Sequence, residues 1–512
     1  VPKTHQETER AEPRSTLGRE ILKQLAALGL LGGFVSYLAY YYHRVPEPVS
    51  PPRLAHVDNL NHTNREICGE PSNEGLPVVI SLLYSDDKRG WIEYAAERFI
   101  RLCPNIQVKL IPMGSIEGAD AILGGEVDPV LWAPADDLVL SYLEHRWSAR
   151  SGERSFSMDT RVSLVSSPLV VLMWEDRRRV LEEIADLGGS REGPWMGTLC
   201  PLIPREPGPE ELAIEDMVPG RWIDWYDPVA QQARPRPAPV AKSQGEPKPV
   251  YRQAFPTPEE IQRWGRVKVG YASPRRTSAG LEAVYLMAYD YVLPPGEREA
   301  LEGEGDLAGK ARSVAGGGSI VRGEHLREAF EGAFLDRKDA LQDWLRRCQA
   351  GLEAPPETSS SLAETMFNVG PARYDGVVTH ENLVFDVLAS VEGHEKSIRN
   401  VRVLYPRPTV VNQHPIVFLR PDRPDRAALR EPASRWIAFL RSGPMQLKAI
   451  EHGFRPANPE ISIDAHNEQT NPFLKLERYG VSTDVIFEEP PRVDGEIVTE
   501  LIQLWQDATG RY

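Results

Sequence analysis

The sequence lacks most of the patterns that announce chemistry. Its four cysteines, Cys68, Cys103, Cys200 and Cys348, form no CxxC pair, which argues against a zinc or thioredoxin-like site. GxSxG, P-loop and HExxH patterns are absent, so the usual signatures of acyl transfer, nucleotide binding and zinc proteolysis are missing. His380-Glu381 lacks the second histidine of a zincin, and His43, His56 and His62 fall in a polar stretch where they read as solvated. Basic charge is also short: 59 Lys and Arg face 74 Asp and Glu, a net charge of −15. That excludes a nucleic-acid partner, which needs a basic footprint. No internal repeat is present. No catalytic residue, metal ligand or cofactor is therefore assigned.

Long apolar runs are scarce as well. One stands out, Leu25–Tyr42 (LAALGLLGGFVSYLAYYY), whose 18 residues carry no charge. A bilayer span takes roughly 17–25 residues, and tyrosines gather at one end where an aromatic belt would lie. Lys3, Arg10, Arg14, Arg19 and Lys23 precede the run, and Arg44 and Arg53 follow. This predicts a cytoplasmic tail over 1–24, a transmembrane signal anchor over 25–43 and the main domain outside the cell, held at the cell membrane by a single pass. No A-x-A site or lipobox cysteine follows the run, against a cleaved signal peptide; a buried core helix is the other alternative. Residues 44–75, beginning VPEPVSPPR, read as a Pro-rich spacer.

From residue 76 the texture becomes that of an α/β domain. Val78–Tyr84 is a continuous apolar strand of the buried type. Lys88–Leu102 follows at helical spacing, with Trp91, Tyr94, Ala95, Phe99 and Leu102 on one face and Ser85, Asp86 and Asp87 as caps. Strands are expected at Gln107–Ile111, Val130–Trp132, Val267–Tyr271, Val377-Val378, Val401–Tyr405 and Ile416–Leu419. Val162–Trp174 reads as two strands broken at Ser166-Ser167-Pro168. Helices are expected after the capping boxes Thr257–Glu260 and Ser361–Glu364, and at Ala427–Leu440 and Glu496–Gln506. Such alternation implies α/β layers on a largely parallel sheet. Residues 188–256, rich in proline, read as an irregular insertion within a domain running from 76 to 512.

Several pieces occur in a telling order: Ser85-x-x-Lys88-x-x-Trp91, GEVDPVLWAPAD (125–136), SSPLVVLMW (166–174), GYASPRRTSAG (270–280), NVGPARYDGVVTHEN (368–382), LYPRPTVVNQHP (404–415) and GFRPANP (453–459). In this order the chain resembles the bacterial extracellular solute-binding proteins of the type 2 periplasmic-binding fold. The nearer resemblance is to the molybdate-type domains often joined to a von Willebrand A domain. The sequence departs from that pattern in having no D-x-S-x-S metal motif and in its insertion at 188–256. The resemblance implies a two-lobed α/β fold with crossover strands, here preceded by one transmembrane helix, closing over a ligand at strand-to-helix junctions. Backbone N–H groups and helix dipoles favour anions there.

On that basis the ligand-binding candidates are Ser85, Trp132, Ser166, Ser167, Thr277, Ser278, Tyr374 and Asp375. Ser85, Thr277 and Ser278 sit at junctions, with Gly280 allowing close backbone approach. Ser166 and Ser167 offer hydroxyls between strands. Trp132, at a strand end, could form an apolar wall, and Tyr374 and Asp375 sit in a loop suited to closing the cleft. Each has a structural alternative: the hydroxyls as helix caps, Trp132 as core, Arg275 and Arg276 as solvated loop charges rather than anion ligands. Tyr405 and Pro406 read as hinge residues.

The function expected is that of a membrane-anchored extracytoplasmic solute-binding protein. It would capture a small solute, an oxyanion being the class the junctions suit, for transport with an ABC-type permease or for sensing. The alternative is a non-catalytic envelope scaffold docking a protein partner such as a von Willebrand A protein. A serine hydrolase around Ser278 would need histidine and acidic partners within reach, and the chain is expected not to be an enzyme.

Overall fold

The structure is a computed structural model. It describes residue 68 and residues 77–156, 160–185, 221–225, 255–302, 312–313, 319–323, 326–349, 356, 358–391, 401–458, 460–464 and 467–511. The chain divides into two compact units, Val1–Glu66 and Ile67–Tyr512. The first lies outside the described residues, and all that follows concerns the second.

The strands are β1 (Val78–Ser85), β2 (Ile106–Met113), β3 (Leu131–Ala133), β4 (Val162–Ser163), β5 (Val165–Trp174), β6 (Val269–Tyr271), β7 (Arg312–Ser313), β8 (Ser319–Arg322), β9 (Gly376–His380), β10 (Val401–Leu404), β11 (Val411–Asn412), β12 (Pro415–Phe418), β13 (Arg455–Pro456) and β14 (Ile486–Glu489). The helices that frame the site and the core are α1 (Arg89–Leu102), α2 (Ser115–Gly124), α3 (Asp137–Ser151), α4 (Ser278–Val292), α5 (Lys338–Gln349), α6 (Ser359–Val369), α7 (Glu381–Val391), α8 (Arg430–Leu440), α9 (Gly443–Glu451) and α10 (Gly495–Thr509).

One lobe is built on a sheet of order β2-β1-β3-β12-β4, in which β1 runs parallel to β2 and β3 while β12 is antiparallel to β3 and β4. The other is built on β10-β5-β9-β6, with β11 and β13 also paired to β5. A small sheet, β14-β8-β7, lies apart from both. Along β1, alternate residues feed opposite faces. Ile80, Leu82 and Tyr84 join a core with Trp91, Phe99 and Trp436 from α1 and α8. Leu83 joins Ile116 and Ala119 of α2 on the other side. A strand covered on both faces must be apolar throughout, which is why it was legible as one run.

Among the described residues, the chain passes between the two large sheets at three places. Leu164 separates β4 from β5, Gln413-His414 separates β11 from β12, and Phe454 separates the α9 region from β13. The first two crossings are bonded to each other, Leu164 N donating to His414 O at 3.2 Å. His414 takes a left-handed conformation, φ 38°, at the point where the chain leaves one sheet for the other.

Several expectations are corrected. β5 runs unbroken through Ser166-Ser167-Pro168; the break falls at Leu164 instead. Pro168 is tolerated because β11, a two-residue strand, pairs opposite it and demands little of the ladder. The helix expected from Ser361 begins at Ser359, and its N-cap is Thr358, whose hydroxyl accepts from Ser361 N. Tyr405 is no hinge: it follows β10 within the second lobe, and its hydroxyl donates to Glu381 Oε1 at 2.5 Å. Helices α2 and α3, absent from the sequence reading, cover the first sheet.

The transmembrane helix is also corrected, and with it the signal-anchor and single-pass membrane assignments. No helix among the described residues is long and apolar enough to cross a membrane. The longest helices named above have 15 residues, about 22 Å of rise, against a hydrocarbon core of about 30 Å. The segment Leu25–Tyr42, the spacer 44–75 and most of 188–256 lie outside the described residues.

Candidate functional site

The two lobes meet around a small cavity of ≈ 20 Å³. The first lobe contributes Ser85, Asp86, Asp87, Gly114 and Ser115; the second contributes Thr277, Ser278, Ser359, Ser360 and Leu383. These residues sit where they do because three helices begin at the cavity. Ser115 opens α2, Ser278 opens α4 and Ser359 opens α6. The caps are explicit: Thr277 Oγ1 accepts from Gly280 N, and Thr358 Oγ1 from Ser361 N. With the cap side chains so used, the hydroxyls of Ser278 and Ser359 make no hydrogen bond among the described residues and remain available to a ligand. Helix N-termini carry partial positive charge and unpaired N–H groups. Three of them facing one cavity make it receptive to oxygen acceptors.

Gly280 allows a close approach, as expected, but to protein backbone rather than to ligand. A Cβ there would lie 2.2 Å from Ala272 O. Gly114 does the same on the facing lobe, where a Cβ would lie 2.5 Å from Arg276 O. The lobes are thus in contact at the rim, with Ile116 N donating to Arg276 O at 3.2 Å and Arg276 pairing with Glu117 at 3.3 Å.

Behind the cavity wall lies a buried ionic network that spans the lobes. Asp87 Oδ2 meets His380 Nδ1 at 3.1 Å, and His380 Nε2 meets Glu282 Oε2 at 3.1 Å. Asn382 Nδ2 donates to Asp87 O at 2.9 Å. Lys88, fully buried, donates to Ser85 Oγ and to Pro134 O, and its ammonium lies 3.4 Å from His414 Nδ1. Burial works against the charge on His380, but Glu282 and Asp87 outweigh it and raise its pKa to about 10. Burial likewise opposes the charge on Asp87, yet Lys88 and His380 hold its carboxyl well below the usual range. Lys88 has its pKa lowered to about 8 by burial, with Asp87 and Asp86 opposing the drop. Burial and the neighbouring Lys88 push His414 well below its ordinary value. Asp86, in the cavity wall, is raised by burial and by Asp87.

A second buried pair fastens the third crossing. Arg455 donates bidentately to Glu381, Nε to Oε2 and Nη2 to Oε1, both at 2.9 Å. Both side chains are wholly buried.

Of the residues singled out in the sequence, Ser85, Thr277 and Ser278 line the cavity together. Ser85 is already held between Lys88 and Asp87, and Thr277 is a cap. Trp132 is buried in the core with Leu83 and Ile116. Ser167 lies on the crossing strand, donating to Asn382 Oδ1 at 2.9 Å, and Ser166 pairs with Arg455 in the β5–β13 ladder. Tyr374 packs over Gly270, where a Cβ would meet its ring at 2.5 Å. Asp375 is buried against Arg177, Lys268 N and Trp222 Nε1. Burial raises its pKa against the pull of Lys268 and Arg177. Arg276 is taken up by Glu117.

The sequence reading missed Ser115, Ser359, Ser360, Lys88 and His380 as parts of the site. Placing the second capping box three residues late hid Ser359. The Ser85-x-x-Lys88 spacing was visible, but nothing local says that Lys88 turns inward. Among the described residues, no group of three or more His, Cys, Asp or Glu is arranged to hold a metal ion.

No protein-family model and no curated protein matches the chain. Among solved structures it is similar to the sulfate-binding protein SubI from Mycobacterium tuberculosis H37Rv, at 10% identity over 80% of this chain and 94% of that one, TM-score 0.38. It is similar to iron-bound HitA from Pseudomonas aeruginosa, at 13% identity over 84% and 99%, TM-score 0.41. It is also similar to maltose-bound MalE3 of T. maritima, at 14% identity over 84% and 94%, TM-score 0.41. The structures matched do not single out the molybdate-type subgroup. At such scores the likeness carries no argument about ligand or mechanism.

Proposed function

We infer that this chain is a two-lobed solute-binding protein that holds a small oxyanion in the cavity between its lobes. One observation carries the reading: the N-termini of α2, α4 and α6 converge on one cavity, with the Ser278 and Ser359 hydroxyls unpartnered beside them. No lysine or arginine lines the cavity, so the donors would be backbone N–H groups and hydroxyls. The carboxylate charge on Asp87 is offset by Lys88 and His380. In this reading the solute would pass to an ABC-type permease. The Cys68–Cys103 disulfide suits work in an oxidising compartment.

A carboxyl from Asp86 also faces the cavity, and it favours a ligand atom that carries a hydrogen. This supports a second class, hydroxylated solutes such as sugars.

The test is a thermal-shift and calorimetry panel on the full chain with sulfate, phosphate, molybdate and maltose. Saturable stabilisation by an oxyanion is expected, weakened about 10- to 150-fold in Ser278→Ala or Ser359→Ala, as for a hydrogen bond to charge of about 1.5–3 kcal/mol. Stabilisation by maltose alone would move the assignment to the hydroxylated class. A flat response from folded protein would remove the solute reading and favour a scaffold that docks a protein partner.

A further inference from the structure

The segment after the second lobe does not end there. β14 is anchored to the second-lobe side: Thr409 N donates to Glu488 O at 2.8 Å, and Val411 N to Glu489 Oε1 at 3.1 Å. Tyr285 of α4 donates through its hydroxyl to Pro491 O at 2.5 Å. At the next residue the chain reaches the first lobe. Arg492 pairs with Asp137 of α3 at 3.3 Å, and Gly495 packs so closely on α3 that a Cβ would lie 2.0 Å from Ser141 O. From there α10 runs between the lobes. Its apolar residues, among them Val498, Leu501 and Trp505, share one continuous core with Val139 and Leu143 of α3 and with Leu341 and Leu345 of α5. On the second-lobe side Trp505 Nε1 donates to Tyr271 OH of β6 at 2.9 Å, and Lys338 of α5 pairs with Glu500.

A hinge at Leu164 and His414 would let the lobes part only if this shared core were torn or α10 left one partner. Apolar area exposed to water opposes the first. The second exposes only the part of that core shared by α10 and α3. Between its anchors at Pro491 and Gly495 the segment roofs a cavity of ≈ 60 Å³, lined by Asp136, Tyr285, Val411, Gln413, Glu489 and Arg492 among others. Arg492 and Asp494 are exposed in this stretch, while Val493 joins the shared core.

We propose that the C-terminal segment Ile486–Thr509 is an interlobe strap that keeps the cleft shut, so that solute exchange requires α10 to come away from α3. The statement about exchange rests on the solute-binding reading; the statement about the strap does not.

Interlobe distance in the ligand-free full chain tests the strap alone. Nitroxide labels at Glu97→Cys on α1 and Asn368→Cys on α6, both exposed, are read by pulsed electron resonance with and without Gly495→Val. That side chain has no room beside Ser141 O and must push the start of α10 off α3. The parent should give a single narrow distance distribution. The variant should give a broader and longer one, with faster hydrogen exchange in α3 and α10. A broad distribution in the parent, or an unchanged one in the variant, would overturn the proposal. If Gly495→Val fails to fold, Gly495→Ala combined with Arg492→Ala gives the same readout.

Discussion

Asp87, in the turn that leads into the first helix of one lobe, and His380, at the end of a strand of the other, meet at 3.1 Å with both side chains almost wholly buried. They are 293 residues apart in sequence, and each offsets a charge that would otherwise be costly to bury. Glu282 and Lys88 extend the pair into a network that spans the cleft wall.

Removing one member should be expensive. Asp87→Ala leaves Lys88 a buried cation without its carboxylate and His380 with Glu282 alone, and a broken buried pair costs about 3–5 kcal/mol. Urea denaturation should show a lower midpoint by that amount. A variant within about 1 kcal/mol of the parent would show that the network is solvated.

The pH dependence follows from His380. Its folded pKa, about 10, lies above the ordinary 6.5, so the folded state binds the extra proton. The resulting stability is fully present below about pH 6.5 and is lost as pH rises toward 10. Lys88 acts in the opposite sense. Its folded pKa of about 8 lies below the ordinary 10.5, so from about pH 8 upward its deprotonation in the folded state offsets part of the loss. The urea midpoint should therefore fall from pH 6.5 to 8 and flatten above. In His380→Gln the first slope should disappear.

Arg455 and Glu381 form a second buried pair, with the Tyr405 hydroxyl on the same carboxylate. Arg455→Met should destabilise by about 3–5 kcal/mol. Adding Glu381→Gln should recover part of the loss, because the uncompensated carboxylate is then gone. A double-mutant cycle in guanidinium should give a coupling of about 0.5–3 kcal/mol. Strict additivity would mean that the two groups do not act together.

Gly280→Ala places a methyl 2.2 Å from Ala272 O and 2.7 Å from the Ser273 carbonyl carbon. The N-terminus of α4 must shift away from the turn before it. Thermal unfolding should show a loss of about 1–3 kcal/mol, as for overpacking, and oxyanion affinity should fall with it. Unchanged stability would show that the turn yields freely.

Much of the fold was legible because its signals are local. β1 is largely apolar where it is covered on both faces, from Ile80 onward, and Thr257–Glu260 announces a helix start by its own hydrogen bonds. The cavity was legible in part for the same reason: Ser85, Thr277 and Ser278 stand at strand-to-helix junctions that the pattern of apolar runs marks out. The misreadings share a cause too. Trp132, Tyr374 and Asp375 were judged by their position near a strand end or loop, while their environment is set by distant elements. For Asp375 these are Arg177, Lys268 and Trp222. Ser166 and Ser167 looked like a break because serine and proline interrupt an apolar run, yet β11 and β13 supply the partners that keep them in a strand.

The sequence by itself determined the alternation of strands and helices, the absence of catalytic and metal signatures, and the hydroxyl-bearing helix starts. These depend on neighbours a few residues away, through periodicity, capping and turn chemistry. Tertiary structure alone decided which starts converge on one cavity, that Lys88 and His380 stand buried behind it, and that a C-terminal helix joins the two lobes through a shared core. Those relations link residues hundreds of positions apart, and no local preference of the chain encodes which of its many charged and apolar groups will meet.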